Sequence, residues 1–468
     1  MKLPKSAPSI FVNFGMSGIA QALGRVFRFL LASIAIHNYG AAAWGEVAFG
    51  LTVVSFAGFF LDMGISTLAT VERPSDEKLD RIFFLSLGWV RFFPAALGVG
   101  LAWIGVRAFS FEGGLVLGLY LLFLVSRPLS LDWYLQRKGY NGLIPMIQVA
   151  RQALVLGAVL TGYLHSIALL AIVDVATEMI AALATWFVGP KKGFAIGPPQ
   201  AKEWGDIGSL YRMSAPLFIG SSLILLHQNL DVVVIRFFLG LKDVGVYDYS
   251  MRVALFAFLT GAGLSIPLRR QLAHFGDHER EAVQGLIRAS HKVLGGISTL
   301  FMLFAIYLAP YFFPMAMPPE NVSLATDISR ILAIFLVLSF LSVPLSEWLI
   351  TRKDRKLYLV LASIAAGANI VLNLIMIPQW GLPGAALAKV GSEFCILSYL
   401  LWKNSSEVRQ DTLKLALVHL AQIPAMIWVM SGNPITWEFA TAHLTIALGL
   451  MYGLGYFDRR DLQLLRKY

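Results

Sequence analysis

Runs of about 20 mostly apolar residues recur along almost the whole chain. A helical run of that length crosses a hydrocarbon layer of roughly 30 Å, because each residue advances about 1.5 Å. Hydrophobic residues make up 57% of the chain and the mean hydropathy is +0.68. Charged residues make up 14%, against about 25% in soluble domains. The sequence therefore predicts an all-α, polytopic membrane protein.

We expect fourteen transmembrane helices. The last two apolar runs are the shortest, so twelve helices is the alternative. The predicted spans are 9–36, 45–68, 83–107, 113–134, 143–164, 166–188, 212–238, 245–268, 290–315, 327–351, 357–379, 382–402, 412–431 and 438–457.

The distribution of lysine and arginine predicts the orientation, since cytoplasmic loops are enriched in both residues. Most of the 38 Lys and Arg residues lie in the loops on the side that also holds both termini. The loops on the opposite side hold Arg107, Lys242 and Arg330. Both termini are therefore expected to be cytoplasmic, without a cleavable signal peptide. The net charge of +10 suits anionic membrane lipid, and we expect no nucleic-acid partner.

The chain contains an internal repeat with a long period. RPLSLDWYLQRK at 127–138 returns as VPLSEWLITRK at 343–353. The two copies of the repeat lie six spans apart, which indicates two parallel six-helix lobes. We predict a first lobe at 1–188, a cytoplasmic linker at 189–211, a second lobe at 212–402, and an additional transmembrane hairpin with a cytoplasmic tail at 403–468. Further matches in the same order are Gly40 and Gly45 with Gly240 and Gly245, and Gly162 and Asp174 with Gly381 and Glu393.

Four segments with characteristic Gly, Asn, Pro and aromatic residues carry a family resemblance. They are YGAAAWGEVAFGLTVVSFAGFFLDMGIS at 39–66, SLDWYLQRKGYNGLIPMIQVAR at 130–151, FFLGLKDVGVYDYSMRVA at 237–254 and RKDRKLYLVLASIAAGANIVLNLIMIPQWGLPGAALAKVGSEF at 352–394. Their order resembles the polysaccharide-transport (Wzx-type) family of lipid-linked oligosaccharide flippases, in the multidrug/oligosaccharidyl-lipid/polysaccharide exporter superfamily. The resemblance implies two six-helix lobes around a central cleft that opens alternately to each side.

Charges inside apolar spans are candidates for function, because a charge in lipid is costly. Arg91, Arg127 and Arg151 lie roughly 10–12 Å from the inner ends of their spans, with Asp62 and Asp132 nearby but shallower. This net positive layer suits a diphosphate. In the alternative, Arg127 and Arg151 pair with Asp132 and Asp62, or they snorkel. Arg91 has the least obvious local partner and is the strongest single candidate in this layer.

Four more charges lie nearer the outer face. Arg25 and Arg28 on the first span match Asp174 and Glu178 on the sixth span in depth, at roughly 12–18 Å from the outer ends. We expect with equal weight that these four charges form a paired structural cluster or that they take part in transport. If the carboxylates are incompletely paired, their repulsion and burial favour binding of a proton or another coupling cation.

The second lobe has its own embedded charges. Lys389 and Glu393 are four residues apart on the twelfth span, and the resemblance makes Lys389 a cavity candidate and Glu393 a possible ligand of a coupling ion. Asp248 and Arg252 have the same spacing and predict an intrahelical pair. The embedded His227 is interpreted equally as a packing residue or as a titrating group.

Catalytic signatures such as a Walker A loop, HExxH, paired CxxC and GxSxG are absent from the sequence. We therefore expect no enzyme activity, metal or cofactor, and an energy source other than ATP bound by this chain. The alternative from a different class is an integral-membrane polysaccharide polymerase or acyltransferase, which would require a larger outer loop.

The resemblance implies that the chain flips an undecaprenyl-diphosphate-linked oligosaccharide across the bacterial inner membrane. The product would feed synthesis of O-antigen (lipopolysaccharide), capsule or exopolysaccharide. Expected partners are this substrate, membrane lipids, a polysaccharide polymerase and a chain-length regulator. The alternatives within the superfamily are a flippase for the peptidoglycan lipid precursor and a cation-coupled multidrug exporter.

Overall fold

Helices form all the regular structure in the part of the chain that can be described, which confirms the all-α prediction. The computed structural model describes residues 10–71, 77–108, 111–138, 140, 142–188, 197–256, 268, 272, 280–351, 355–404, 406–431, 436–454 and 456.

The helices of the first half are α1 Ile10–Asp62, α2 Ile65–Val71, α3 Glu77–Phe84, α4 Arg91–Ala108, α5 Gly114–Leu121, α6 Phe123–Leu129, α7 Asp132–Arg137, α8 Leu143–Leu160 and α9 Ile167–Val188. A π-helical segment, Leu85–Val90, joins α3 to α4. The helices of the second half are α10 Glu203–Phe238, α11 Leu241–Phe256, α12 Arg280–Tyr307, α13 Pro319–Thr351, α14 Arg355–Lys403, α15 Ser406–Leu420, α16 Ile423–Met430 and α17 Trp437–Gly453.

Nine helices within the described ranges are long and apolar enough to cross a membrane. Two of them, α1 and α14, are broken by a glycine with non-helical backbone angles. These are Gly40 (φ 87°, ψ 164°) and Gly381 (φ 62°, ψ −139°). Each broken helix therefore contains two of the predicted spans. The remaining predicted spans lie in the shorter apolar stretch Gly114–Leu129 and in α11 and α17, the eighth span being described to Phe256.

Glycines that correspond in the sequence repeat share an unusual backbone conformation. Gly40 and Gly240 have φ of 87° and 112°, and Gly162 and Gly381 have φ of 75° and 62°. Positive φ is accessible to glycine at little cost and strained for residues with a Cβ atom. The matched positions therefore serve the same local purpose, which is to end one helix and redirect the chain into the next.

The chain divides into two compact units. Unit 1 comprises Met1–Leu225 with Leu239–Gly245, and unit 2 comprises Leu226–Phe238 with Val246–Tyr468. In unit 1, α1 packs along α8 and α5, and α9 packs against α8. Near α2 and α3, a core forms around Ile65, Phe83 and Trp133. The lobe boundaries expected from the sequence repeat stay a prediction.

Within unit 1, α1 and the start of α11 cross at two glycines that correspond in the repeat. A Cβ atom on Gly45 would overlap the carbonyl oxygen of Leu241, and a Cβ atom on Gly245 would overlap the carbonyl oxygen of Ala41. The contact is reciprocal, since each glycine faces the residue four positions before the other. Only the absence of a side chain permits this backbone approach.

In unit 2, α13 packs against α12 and α14, and α15 and α17 of the additional hairpin pack against α12. Polar contacts also link the hairpin to α12. Arg288 lies 2.5 Å from the buried Asp411, and His291 lies 2.8 Å from the hydroxyl of Thr412. Farther along α12, the Tyr307 hydroxyl lies 2.5 Å from Nδ1 of His443. Polar contacts thus join the hairpin to α12 at several positions along that helix.

Several predictions fall on residues outside the described ranges. They concern both termini, which are expected to be cytoplasmic, and most of the first half of the predicted linker.

Candidate functional site

Asp62 and Arg91 form a buried ion pair in unit 1. Arg91 donates from Nη2 to one carboxylate oxygen of Asp62, and the Ser66 hydroxyl donates to the same oxygen. The backbone N–H of Ser66 donates to the other carboxylate oxygen. The chain turns directly after Asp62 through Met63 and Gly64, which have φ of 48° and 76°. That turn brings Ser66 back to the carboxylate at the end of α1.

Arg91 lies immediately after the π-helical segment Leu85–Val90, and its side chain is buried. Such segments shift the direction of the following side chains and occur often at functional sites. Nε of Arg91 is buried and has no hydrogen-bond partner among the described residues. The partner of Arg91 is not a local one, because Asp62 lies on a distant part of the sequence and the packing of α1 on α4 joins them.

Arg127 differs from the other two arginines of the predicted inner layer. It is exposed, and it forms no ion pair with any of the described residues. It interacts electrostatically with Arg91 and with Asp132, which is half-buried and donates its backbone N–H to the Ser130 hydroxyl over 3.2 Å. The predicted close pairing of Arg127 with Asp132 is therefore not formed.

Arg151 is the centre of a second cluster in unit 1. Its Nη1 donates to Asp174, and its Nε lies 3.0 Å from Glu178. The Tyr120 hydroxyl donates to the other oxygen of Asp174 over 3.2 Å. Gln148, one turn before Arg151, accepts from the same Nε at 3.0 Å.

This cluster corrects two expectations. The alternative in which Arg151 pairs with Asp62 is wrong, because Arg151 binds Asp174 and Glu178. Arg25 and Arg28 were matched with those two carboxylates, and they are not the cations that bind them. The depth is as expected, since Arg151 lies about 12 Å from the start of α8, but the packing of α8 against α9 brings it to Asp174 and Glu178. Arg28 instead donates to the carbonyl of Gly24 over 3.2 Å.

Unit 2 contains a buried polar cluster where α10 meets the second part of α14. Nζ of Lys389 donates to the carbonyl oxygens of His227 and Gln228 over 3.0 and 2.8 Å, and lies 3.3 Å from Asp231. Asp231 also accepts from the Tyr247 hydroxyl over 2.7 Å. Lys389, Asp231 and Tyr247 are all almost fully buried.

Glu393 lies one turn beyond Lys389 and is also buried. Its charged neighbour within 4 Å is His227, whose Nε2 lies 3.6 Å from the carboxylate. The predicted intrahelical pair on α11 is confirmed, since Arg252 donates from Nε to Asp248 over 2.6 Å. The described residues contain no cluster of three or more His, Cys, Asp or Glu side chains that could hold a metal ion.

Sequence reasoning missed Asp231 and Tyr120, which complete the two clusters. Asp231 is a single acid in the apolar stretch LILLHQNLDVVVIRFF, and that signal was sufficient to include it. Tyr120 gave no such signal, because a tyrosine in an apolar span is common. Sequence reasoning also missed the buried Asp80, to which Arg137 and Lys138 donate over 2.5 and 2.7 Å.

A family model described as polysaccharide biosynthesis protein matches residues 6–258, more than half of the chain. The chain belongs to this family. A second model, MatE, matches residues 216–375. These matches confirm the resemblance to the exporter superfamily that was expected from the sequence. No curated protein sequence matches the chain.

Solved structures share the fold of this polysaccharide biosynthesis family member. The lipid II flippase MurJ in an inward closed conformation is 13% identical, with a TM-score of 0.69, and the match covers 95% of this chain and 99% of that one. An inward-facing multidrug resistance MATE transporter of the MOP superfamily is 14% identical, with a TM-score of 0.58 and coverage of 88% and 96%. A MOP superfamily transporter from Pyrococcus furiosus is 14% identical, with a TM-score of 0.55 and coverage of 89% and 100%. These likenesses show that the chain has the fold of these transporters, and the long apolar helices of the described ranges indicate a multi-pass membrane protein.

Proposed function

We propose that the protein flips an undecaprenyl-diphosphate-linked oligosaccharide from the inner to the outer leaflet of a bacterial inner membrane. The flipped lipid would supply O-antigen, capsule or exopolysaccharide synthesis, with a polymerase and a chain-length regulator acting on it afterwards. The family match supports the link with polysaccharide. The mechanism is alternating access, in which the substrate favours one state through its differential affinity.

The observation that carries the proposal is the contrast between Arg127 and Arg91. Arg91 is buried and held by Asp62, whereas Arg127 is exposed, forms no ion pair with the described residues, and lies within electrostatic range of Arg91. A guanidinium offers five N–H donors in a planar fork that matches phosphate oxygens. Arg127 therefore retains its donors for an anionic ligand.

The roles of the other candidates follow from their contacts. Arg151 is occupied by Asp174 and Glu178, and Lys389 by two carbonyls and Asp231, so in this conformation both hold helices together. Arg25 and Arg28 on α1 stay proposed ligands of the anionic substrate. Asp174 and Glu178 exceed their one arginine by one negative charge, which supports their proposed role in binding a coupling proton or cation.

Complementation tests the substrate class. Strains that lack their own flippase, each with a known oligosaccharide repeat unit, would express the wild type, Arg127→Gln or Arg107→Gln and be scored for surface polymer. Arg107 is the matched control, because it is an exposed arginine at the far end of α4. We expect polymer in at least one strain, its loss with Arg127→Gln, and no change with Arg107→Gln.

Two outcomes would count against this function. Absence of polymer in every strain, with normal membrane insertion, would exclude the substrate class that was tested. Rescue of a strain depleted of its lipid II flippase, or drug resistance in a strain without efflux pumps, would assign the chain to the alternative functions of the same superfamily. Normal polymer with Arg127→Gln would remove Arg127 from the binding site.

A further inference from the structure

Two ion pairs of the same form hold α3 in unit 1 and α12 in unit 2. Nε and Nη2 of Arg81 on α3 donate to the two carboxylate oxygens of Glu203, the first residue of α10, over 2.5 and 3.2 Å. Nε and Nη2 of Arg288 on α12 donate to the two oxygens of Asp411 on α15 over 2.5 and 3.4 Å. The partners are 122 residues apart in the first pair and 123 in the second. The same atoms therefore make the same contacts at almost the same separation in the sequence.

The helices that carry the two acids bury residues at the same spacing. In the first part of α10 the buried residues are Glu203, Ile207, Leu210 and Ser214. In α15 and the turn after it, the residues at matching positions are Asp411, Leu415, Val418 and Gln422, and all four are buried. Each set begins with the acid of the ion pair and continues along one face of its helix. A proline follows the last member of each set at the same distance, namely Pro216 and Pro424.

The apolar members of both sets pack into the core of their own unit. Ile207 belongs to the cluster that contains Phe83 of α3. Leu415 belongs to the cluster that contains Ile287 of α12, and it also lies against Gly295, where an added Cβ atom would be 2.5 Å from its side chain. Apolar packing thus holds each helix against its unit, and the directional ion pair fixes the rotation of the helix about its axis.

The six-span repeat accounts for this correspondence. Arg81 and Arg288 lie just before the predicted third and ninth spans, which match in the repeat. The seventh span, in α10, opens the second copy of the repeat, and the thirteenth span, in α15 and α16, stands where a third copy would open. The first part of α10 nevertheless belongs to unit 1, as α15 belongs to unit 2.

The face of α12 that α15 covers is polar. Besides Arg288, it presents His291, which lies 2.8 Å from the Thr412 hydroxyl, and Lys292, which lies 3.8 Å from Asp411. His291 and Lys292 are both almost fully buried. Polar and charged side chains are costly where they meet lipid. Unit 2 therefore requires a helix with matching polar groups at this position.

We infer that α3 and α12 carry equivalent docking surfaces, each of which binds the first helix of the next copy of the repeat. The partner that fits such a surface is a helix with a carboxylate near its start and apolar residues on the same face in the following turns. The additional hairpin is then the beginning of a third copy of the lobe. It completes unit 2 as the first part of α10 completes unit 1. The inference goes beyond the proposed function, since no substrate takes part in these contacts.

Charge exchange in the full-length protein tests the equivalence of the two surfaces. In unit 2 the variants are Arg288→Asp, Asp411→Arg and the double exchange, and in unit 1 they are Arg81→Glu, Glu203→Arg and the double exchange. Each single reversal places like charges together and should lower the midpoint of thermal unfolding in detergent. Each double exchange should recover more than half of that loss.

The control for these variants is Lys78→Glu, because the ion pair of Lys78 with Asp206 at 3.1 Å is largely exposed. It should change the midpoint much less than the single reversals do. Where a single reversal prevents folding, the yield of monodisperse protein from the double exchange answers the same question. Recovery in one unit without recovery in the other would overturn the inference.

A transplant tests whether α15 occupies the same kind of surface as α10. Asp411→Glu, Leu415→Ile and Val418→Leu together give α15 the residues that α10 has at the matching positions. The matched control, Gln410→Asp with Asp411→Gln, keeps the composition and moves the acid by about 100° around the helix, while Thr412 stays in place.

We expect the transplant to keep the wild-type yield of monodisperse protein and most of its thermal stability, because the changes nearly conserve volume. The control should lose stability, since the moved acid no longer faces Arg288. A transplant as unstable as the control, or a control as stable as the wild type, would overturn the inference.

Discussion

Arg151 donates to Asp174 and lies 3.0 Å from Glu178, so one arginine of α8 holds two acids of α9. The two acids are four residues apart and lie on one face of α9. Tyr120 of α5 adds a hydrogen bond to Asp174, which makes the cluster a junction of three helices. Its excess of one negative charge distinguishes it from a neutral structural pair.

Replacement of Arg151 should destabilise the protein severely. Arg151→Met leaves two largely buried carboxylates without their cation, and the loss of one partner of a buried pair costs about 3–5 kcal/mol. Denaturation in detergent, followed by circular dichroism, measures this loss. The triple variant Arg151→Met, Asp174→Asn, Glu178→Gln should recover much of the stability, and recovery would fail if Arg151 acted mainly through its contact with Gln148.

Arg91 and Arg127 should respond differently to substitution. Arg127→Gln should change the free energy of unfolding by less than about 0.5 kcal/mol, because the side chain is exposed and has no ion pair with the described residues. Arg91→Met should cost about 2 kcal/mol or more, because Asp62 loses its buried cation. Equal effects of the two substitutions on stability would contradict the assignment of a structural pair to Arg91 and a ligand site to Arg127.

The crossing of Gly45 and Gly245 predicts a sharp steric effect. Gly45→Ala or Gly245→Ala places a methyl group against a backbone carbonyl oxygen, and overpacking of this kind costs about 1–3 kcal/mol or more. Gly98→Ala is the matched control, since Gly98 is helical and a Cβ atom there meets nothing within 4 Å. It should be neutral or stabilise the protein by up to about 1 kcal/mol. Thermal unfolding and the yield of monodisperse protein give both comparisons.

The additional hairpin should detach more readily when Asp411 is neutralised. Asp411 is 1% exposed and lies 2.5 Å from Arg288 and 3.8 Å from Lys292. Asp411→Ala removes the carboxylate that links the hairpin to Arg288 and Lys292 of α12, so we expect faster proteolysis between α14 and α15 than in the wild type. Asp206→Ala is the control, because its ion pair with Lys78 is largely exposed and contributes at most about 1 kcal/mol. Equal rates of cleavage in both variants would show that apolar packing alone holds the hairpin.

The breaks at Gly40, Gly162, Gly240 and Gly381 show what could be predicted about the fold. The repeat matches Gly40 with Gly240 and Gly162 with Gly381, and the positive φ found at all four is accessible because glycine has no Cβ atom. The apolar runs and the intrahelical pair of Asp248 and Arg252 were predictable for the same reason, since both depend on residues close together in the chain.

The sequence predicted which residues belong to the candidate site, but it did not predict which residues they contact. Arg91, Arg127, Arg151, Lys389 and Glu393 were selected because a charge in an apolar span is expensive, and this criterion needs no structure. Depth along a span then gave wrong partners for Arg151, because distance from a helix end does not specify which face the residue occupies or which helix lies beside it.

The sequence by itself determined that this protein is an all-helical membrane protein in which particular glycines separate neighbouring spans, because hydropathy and backbone preference are local properties. Only the tertiary structure decided that Asp62 holds Arg91, that Arg151 holds Asp174 and Glu178, and that Lys389 binds the carbonyls of α10. These contacts depend on the rotation of each helix about its axis and on the choice of neighbouring helices. Both result from packing the whole chain.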